Sequence, residues 1–239
     1  MSRENTYTAI ILKKQPYGEA DEIITFFTKE LGKVRGLAKS IKLSKSKLQQ
    51  KLQALFLVHI TLTRARLPKI IRAETIETFS NLRQSLPAVG HAFYAAELVM
   101  KATADEHKNE ALFEALFQLF VFLNSADNQE NYMLAVLRFK LLALKVLGLM
   151  PMLPENKEAV LEKYFFNPHK GGFVKQSSAG SWPVDVEAIK LLKELEFGTA
   201  LDAIKTNQKA LSAAQHLLSV FIEYYLERKM KSDNFRLGE

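Results

Sequence analysis

The sequence predicts an α+β protein in which a small five-stranded β-barrel precedes an α-helical domain. Three observations support this prediction. Apolar residues alternate in the first ~80 positions, they recur at helical spacing from Asn81 onward, and Pro, Gly and Ser interrupt the stretch from 150 to 184. A chain of 239 residues is long enough for two domains. We therefore expect domains at 1–80 and 81–239, with an irregular insert at 150–184.

Short runs rich in Ile, Val, Thr and Phe predict the strands of the barrel. In the fourth run, Phe56, Val58, Ile60 and Leu62 share one face, which is typical of a half-buried strand. Turn signals occupy 15–18 and 29–32. The predicted strands cover 7–14, 22–28, 33–39, 54–63 and 69–79. Five strands in so short a stretch favour a barrel.

The second half of the chain has the spacing of amphipathic helices. Helices are predicted at 90–103, 110–123 and 131–148, and the second, apolar nearly all round, is expected to be the most buried. Asp185 is a candidate N-cap for the next helix. A final helix has an apolar face at Leu211, Ala214, Leu218, Phe221 and Tyr225.

Composition excludes several classes of function. The chain has no cysteine, so it forms no disulfide, no thiolate nucleophile and no cysteine-ligated zinc site. The N-terminal residues lack the apolar core of a secretory signal, and no apolar run approaches the ~18 residues of a membrane span. We therefore expect a cytoplasmic protein.

Motifs of catalysis are missing from the sequence. Gly36-Leu37-Ala38-Lys39-Ser40 differs from a phosphate-binding loop because its Gly does not directly precede the Lys. The five histidines are scattered, and none pairs with another at metal-ligand spacing. The sequence thus predicts a protein that is not an enzyme and needs no metal or other cofactor.

Positive charge is concentrated at one end of the chain. Residues 1–72 contain 15 Lys/Arg and 5 Asp/Glu, a net charge of +10, whereas residues 73–239 have a net charge of −3. Eleven cations and no acidic residue lie between Glu30 and Glu74. Because an ordinary soluble surface mixes both signs, a field of one sign favours a polyanionic partner over a merely solvated face.

Nucleic acid fits this polyanion site better than a membrane, because the basic segment has the pattern of strands and not of a basic amphipathic helix. OB-folds, which are partly open five-stranded barrels, bind single strands through phosphate contacts and aromatic stacking. Tyr7, Tyr17, Phe26 and Phe27 are candidate stacking residues, and the lysines after residue 39 are expected in a mobile loop. The predicted nucleic-acid-binding residues are Lys33, Arg35, Lys39, Lys42, Lys45, Lys47, Lys51, Arg64, Arg66 and Lys69.

Several motifs together resemble a known family. The first 50 residues carry Y-G-E-x-D, a strand ending in F-T, G-K-x-R and A-K, and later segments carry R-F-x-L-x-x-L-x-x-L-G-x-x-P and F-x-P-x-x-G-G. The matching residues are Tyr17, Gly18, Glu19, Asp21, Phe27, Thr28, Gly32, Lys33, Arg35, Ala38, Lys39, Arg138, Phe139, Leu141, Leu144, Leu147, Gly148, Pro151, Phe166, Pro168, Gly171 and Gly172. The chain resembles the RecO family of bacterial DNA-repair and recombination-mediator proteins.

This resemblance implies an N-terminal OB-fold, binding to single- and double-stranded DNA, annealing of complementary strands, and a location at the nucleoid. It also implies partnership with RecR and the single-strand-binding protein SSB in loading RecA. The acidic, apolar-ended SSB tail would bind the helical domain, where Arg138 and Lys145 are candidates on one helix face. Many relatives carry a four-cysteine zinc module after L-G-x-x-P. Here the insert at 150–184 stands in its place without those cysteines. We therefore expect no zinc, and an insert held by packing of Tyr164, Phe165, Phe166, Phe173 and Trp182.

Two other functions remain open at this point. One is an OB-type RNA-binding or ribosome-associated module, and the other is a protein-interaction adaptor whose basic face meets an acidic partner. Both would use the same cations, so the residues alone do not separate them from DNA binding.

Overall fold

The computed structural model describes residues 4–43, 46–126, 128–154 and 163–232. Contacts group the chain into two compact units. The first extends from the N-terminus to Ser125 and takes in Ser232, and the second covers Ala126–Lys231. The boundary predicted near residue 80 marks the change from strands to helices, whereas the contacts group the first two helices with the barrel.

The first unit begins with a five-stranded antiparallel sheet, which confirms the predicted barrel strands within a few residues. The sheet order is β3-β2-β1-β4-β5. A parallel bridge between Leu37 and Lys69 connects the two edge strands, and the Leu37 N–H donates to the Pro68 carbonyl at 2.7 Å. The sheet therefore curls into the partly open barrel of an OB-fold. The strands are β1 (Glu4–Tyr17), β2 (Asp21–Thr28), β3 (Gly32–Ala38), β4 (Leu57–Thr63) and β5 (Ile70–Glu77).

Alternation along the strands fills the barrel interior as predicted. The apolar residues at alternate positions from Phe56 to Leu62 are all buried, and Val34 and Ala38 of β3 join the same cluster. Gly36 lies between them, where an added Cβ would meet Ile70 Cγ1 at 2.9 Å. A larger side chain at position 36 would therefore push β3 away from β5 and open the barrel.

Two helices complete the first unit, α1 (Leu86–Ala102) and α2 (Glu110–Ser125). The Ser85 side chain accepts a hydrogen bond from the Ala88 N–H and caps α1, with Leu86 and Pro87 in its first turn. Phe27 on the outer face of β2 packs against Phe113 of α2, with 6.3 Å between ring centroids. Helix α2 thus covers part of the barrel wall.

The second unit contains α3 (Gln129–Val146), α4 (Val186–Glu196) and α5 (Gln208–Leu226). Asp185 caps α4 through the Glu187 N–H at 3.0 Å, as predicted. The expectation that 110–123 forms the most buried helix is wrong, because α3 buries 11 of its 18 residues and α2 only 6 of 16. Helix α3 packs against both α4 and α5, whereas Val121 of α2 is 41% exposed.

The insert at 150–184 contains a short three-stranded sheet, β6 (Phe165–Asn167), β7 (Gly172–Val174) and β8 (Trp182–Pro183), in the order β7-β6-β8. Phe166 is fully buried at its centre. Its ring lies 5.1 Å from that of Phe173 and 5.3 Å from that of Trp182, so three of the five aromatic residues expected to hold the insert pack together. Positions 155–162 of the insert lie outside the described residues.

Candidate nucleic-acid interface

Five predicted cations lie at the end of the barrel where three connections meet. The Leu37–Lys69 bridge brings the β4–β5 loop beside the end of β3. That loop is closed at its base by Thr63, whose N–H donates to the Lys69 carbonyl and whose hydroxyl accepts from the Lys69 N–H. All five residues are exposed. We call this set the cationic rim; it comprises Lys39, Lys42, Arg64, Arg66 and Lys69.

Lys42 links the rim to the β1–β2 turn. Its backbone N–H donates to the Ala20 carbonyl at 3.0 Å, and its ammonium lies 3.4 Å from the carbonyl oxygens of Gly18 and Glu19. The Asp21 carboxylate accepts from the Ser40 N–H at 2.7 Å. The two acidic residues of this turn therefore stand beside the rim, and Asp21 fixes the chain where β3 ends.

Lys39, Arg64, Arg66 and Lys69 have no ion-pair partner among the described residues. A cation without a protein carboxylate is free to exchange its hydration for a phosphate oxygen. The loop geometry around Thr63 and Lys69 holds two of these side chains, Arg64 and Arg66, on one short connection. The rim therefore includes two exposed arginines on the loop that the Leu37–Lys69 bridge holds beside the end of β3.

Lys33 does not join the rim, although it shares a strand face with Lys39. Its ammonium donates to the carbonyls of Met100 at 2.8 Å and Thr103 at 2.6 Å, and it lies 3.3 Å from an oxygen of Asp105. These partners use all three ammonium donors, at the C-terminal end of α1 where a cation is favoured. Only 12% of the side chain is exposed, so these contacts leave little of it open to a phosphate.

Arg35 occupies an intermediate position. Its guanidinium donates to Asp105 at 3.2 Å, but 61% of the side chain is exposed. An exposed ion pair of this kind contributes little stability, so a phosphate can compete for the guanidinium. Arg35 therefore remains a candidate contact on the wall of β3, about 13 Å from Lys39 at the usual rise per strand residue.

The remaining predicted cations lie on the connection between β3 and β4. Lys47 and Lys51 are exposed, and Lys45 lies outside the described residues. The mobility expected of the lysines after residue 39 stays a prediction. The end of this connection is anchored, because Leu52 is fully buried and Phe56 joins the barrel core. The two exposed lysines are therefore carried by an anchored segment.

Two of the four candidate stacking residues are unavailable for bases. Phe26 points into the barrel core and Phe27 packs under α2, so both are fully buried. Tyr7 packs partly against the core. Tyr17, at the end of β1 and 50% exposed, is the one of the four whose ring stands open beside the β1–β2 turn.

Replacing Lys33 with methionine is expected to destabilise the protein without weakening DNA binding by the folded molecule. The α1 carbonyls of Met100 and Thr103 would lose their donor, which costs about 1–3 kcal/mol in the free energy of unfolding. Urea denaturation measures this, with Lys39→Met as the matched control at an exposed position, where we expect a change within about 0.5 kcal/mol. Equal midpoints for the two variants would contradict the structural role of Lys33.

The second unit contains both candidates for the SSB-tail site. Arg138 is half-buried and its guanidinium donates to the Thr199 carbonyl, while Lys145, seven residues later on α3, is exposed. Burial lowers the pKa of the Arg138 guanidinium from its usual value. Arg138 therefore anchors the chain after α4, and Lys145 presents the accessible charge.

Two exposed apolar residues accompany this pair, and sequence reasoning missed both. Leu142 follows Arg138 by one helical turn and is 41% exposed, and Phe197, two residues before Thr199, is 83% exposed. The sequence does contain a signal for Leu142, because it is an apolar residue between Arg138 and Lys145 on one helix face. The sequence contains no such signal for the exposure of Phe197, because that exposure depends on how α4 ends.

The described residues contain neither a cluster suited to a metal ion nor a helix suited to a membrane. Across 4–43, 46–126, 128–154 and 163–232, no group of three or more His, Asp or Glu side chains stands in an arrangement that could hold a metal ion. None of the described helices is both long enough and apolar enough to cross a membrane.

The fold and these side chains define an OB-type barrel with a cationic rim, followed by a helical region. Residues 1–79 match the family described as Recombination protein O N terminal, and residues 83–234 match Recombination protein O C terminal. The chain therefore belongs to the RecO family of DNA repair proteins.

Curated relatives agree with this membership over nearly the whole chain. The DNA repair protein RecO of Dehalococcoides mccartyi (strain CBDB1) is 30% identical, with 97% of this chain and 96% of the relative covered. The protein of that name from Pelotomaculum thermopropionicum is also 30% identical, with 97% and 93% covered. That from Bacillus cereus (strain B4264) is 28% identical, with 91% and 89% covered.

Proposed function

We propose that this protein is a non-enzymatic recombination mediator that binds single- and double-stranded DNA through the cationic rim and anneals complementary strands. With RecR it would help to load RecA on SSB-coated DNA, in the cytoplasm and at the nucleoid. The observation that carries this proposal is the cationic rim on an OB-type barrel in a member of a DNA repair family. Within the part of the chain that the structure describes, Lys39, Arg64, Arg66 and Lys69 have no carboxylate partner, which supports phosphate contacts.

Annealing has a physical basis in the same charges. Two complementary strands repel one another through their phosphates, and a surface that neutralises phosphates on both lowers this repulsion. Such a surface needs no nucleophile, metal or cofactor. The proposed activity therefore requires only the charges and the barrel that carries them.

A salt titration with single-stranded DNA tests the proposal. If the rim and Arg35 neutralise four to six phosphates, the logarithm of the binding constant should fall against the logarithm of salt with a slope of about −3 to −4. Strand annealing with bare and SSB-coated DNA then tests the mediator role. Negligible DNA affinity at low salt would instead favour the adaptor with an acidic protein partner.

The RNA-binding alternative uses the same cations and is separated by comparing substrates. Single-stranded DNA and RNA of one sequence should bind with similar affinity if phosphates dominate, since the strands differ at the 2′-hydroxyl. A strong preference for RNA at equal salt would overturn the DNA proposal in favour of an RNA-binding or ribosome-associated module.

For the SSB tail we propose the surface formed by Leu142 and Phe197 beside Lys145. An acidic peptide with apolar terminal residues needs an apolar surface with a cation at its edge. Leu142 and Phe197 supply exposed apolar side chains, and Lys145 supplies an exposed ammonium. Arg138 contributes by holding Thr199 in place.

Lys145→Glu is expected to weaken binding of an acidic, apolar-ended peptide about threefold or more, because it removes one attraction and adds a repulsion. Fluorescence anisotropy of the labelled peptide measures this. Lys190→Glu on α4 makes the same charge change and is the control, since Lys190 already pairs with Glu187 at 2.7 Å. Equal losses in both variants would show a general charge effect and argue against the surface.

A further inference from the structure

Three exposed rings form a continuous aromatic surface in the second unit, far along the chain from the rim. Tyr224 and Tyr225 lie in the last turn of α5, and His169 lies in the turn between β6 and β7. The His169 and Tyr224 rings meet edge to face with 4.6 Å between centroids, and the two tyrosine rings are perpendicular at 5.2 Å. Tyr224 is 40% exposed and Tyr225 is 38% exposed. Each ring therefore keeps part of its surface open to a ligand.

The rings are held in place from below. Tyr225 packs against Phe221 at 4.6 Å, and Phe221 packs against the buried Phe166 at the centre of the insert sheet. The turn between β6 and β7 also approaches the end of α5, since a Cβ added at Gly171 would lie 3.9 Å from the Tyr225 hydroxyl. The surface is thus an extension of the aromatic core, and binding would cost little ordering of side chains.

The turn that carries His169 is equally fixed. The Asn167 side-chain oxygen accepts from the His169 N–H at 3.0 Å, and its amide donates to Ser178 and to the Ala179 carbonyl. Asn167 is itself buried. The imidazole therefore has a defined position relative to the tyrosines.

On each of the two chain segments, an exposed cation follows the rings closely in sequence. Lys170 follows His169 directly, and Arg228 follows the end of α5 three residues after Tyr225; both are exposed. Of the acidic neighbours, Glu223 accepts a hydrogen bond from the Met230 N–H, and Glu227 is exposed. Open aromatic faces with adjacent cations are the combination that binds single-stranded nucleic acid by stacking and phosphate contact.

We propose that this surface, formed by His169, Tyr224 and Tyr225 with Lys170 and Arg228, is a second binding site for single-stranded DNA. The proposal rests on the proposed function and deepens it. Annealing needs two strands to be held at once, and a second site separate in sequence from the rim would let one molecule hold one strand at each. Bases would stack on the tyrosine and histidine rings while the two cations contact the backbone.

The test uses the full chain and an oligothymidylate that contains 5-bromodeoxyuridine. After irradiation, peptides crosslinked to the oligonucleotide are mapped by mass spectrometry, and crosslinks to Tyr224 or Tyr225 are expected. In an Arg64→Ala/Arg66→Ala background, Tyr224→Leu/Tyr225→Leu should weaken the remaining oligothymidylate binding about fivefold or more. Leucine keeps the apolar character and removes the stacking face. Phenylalanine at both positions should restore the binding that leucine loses.

Several outcomes would overturn the second site while leaving the proposed function intact. One is crosslinking confined to peptides of the first unit, and another is unchanged oligothymidylate binding by the leucine variant. A third is loss of binding to an acidic, apolar-ended peptide with unchanged DNA affinity, which would make the surface a protein-docking site. Failure of the parent chain to bind DNA at low salt would instead overturn the proposed function itself.

Discussion

Replacing Arg64 and Arg66 with alanine is expected to weaken binding of single-stranded DNA about 10- to 100-fold at low salt. Each lost phosphate contact should make the slope of the logarithm of the binding constant against that of salt less negative by about 0.7. The double variant should therefore change the slope by about 1.4. Both arginines are exposed on the β4–β5 loop, so the free energy of unfolding should change little.

The matched control removes two cations from the opposite end of β3. Lys29 is partly exposed and Lys108 is exposed, and both pair with Glu110, at 3.4 Å and 3.1 Å. Lys29→Ala/Lys108→Ala lowers the net charge by the same amount as the arginine variant. Its DNA affinity should fall far less if the rim is the binding site. Equal losses in the two double variants would show that total charge, and not the rim, governs binding.

Lys39 and Lys69 provide a graded version of the same experiment. Adding Lys39→Ala and Lys69→Ala to the arginine variant removes four rim cations, so the slope should change by up to about 2.8. A strand that follows the rim would lose contacts one by one, and the effects should add. A much smaller effect of the lysines would restrict the phosphate contacts to the β4–β5 loop.

Sequence periodicity predicted the fold well because the barrel residues follow the simplest rule of burial. The alternation from Phe56 to Leu62 fixes which face of β4 turns inward, and the same rule places Val34 and Ala38 inside. The change to helical spacing located α1 to α5 within a few residues. Aromatic packing in the insert was predicted from its residues together with the family resemblance, whereas its three short strands were not predicted.

The site was predicted less completely, and Lys33 shows the reason. Lys33 and Lys39 share a face of one strand, yet one ammonium caps α1 and the other is exposed. The difference arises because Met100 and Thr103, some 70 residues further along the chain, end their helix beside Lys33. No local pattern records such a contact, and Asp105, which pairs with Lys33 and Arg35, was missed for the same reason.

Phe26 and Phe27 illustrate the same limit from the apolar side. Alternation required one of the two rings to point out of the barrel, and that ring was a candidate for stacking. Phe27 does point outward, but α2 covers it through Phe113. Conversely, Tyr225 was assigned to the apolar face of the last helix and is 38% exposed near the helix end. Exposure at such positions depends on which other segment packs there.

Gly32→Ala is expected to destabilise the protein more than any substitution of a rim cation, by more than about 3 kcal/mol in the free energy of unfolding. Gly32 begins β3 with a φ of +76°, and a Cβ at this position would lie 2.0 Å from the His107 carbonyl oxygen and 2.6 Å from its carbon. Both atoms belong to the backbone, so no side-chain rotation relieves the overlap. Either β3 or the segment before α2 must move.

Gly18→Ala separates this steric effect from the cost of the backbone conformation. Gly18 also lies in a hairpin turn of the barrel and has a φ of +65°, but no atom lies within 4 Å of its added Cβ. The free energy of unfolding should fall by only about 1–2 kcal/mol, which is the cost of a left-handed conformation for a residue other than glycine. Denaturant midpoints of the two variants give the difference directly. Equal midpoints would mean that β3 does not approach His107 closely. They would also argue against the hydrogen bonds of the neighbouring Lys33 to the end of α1.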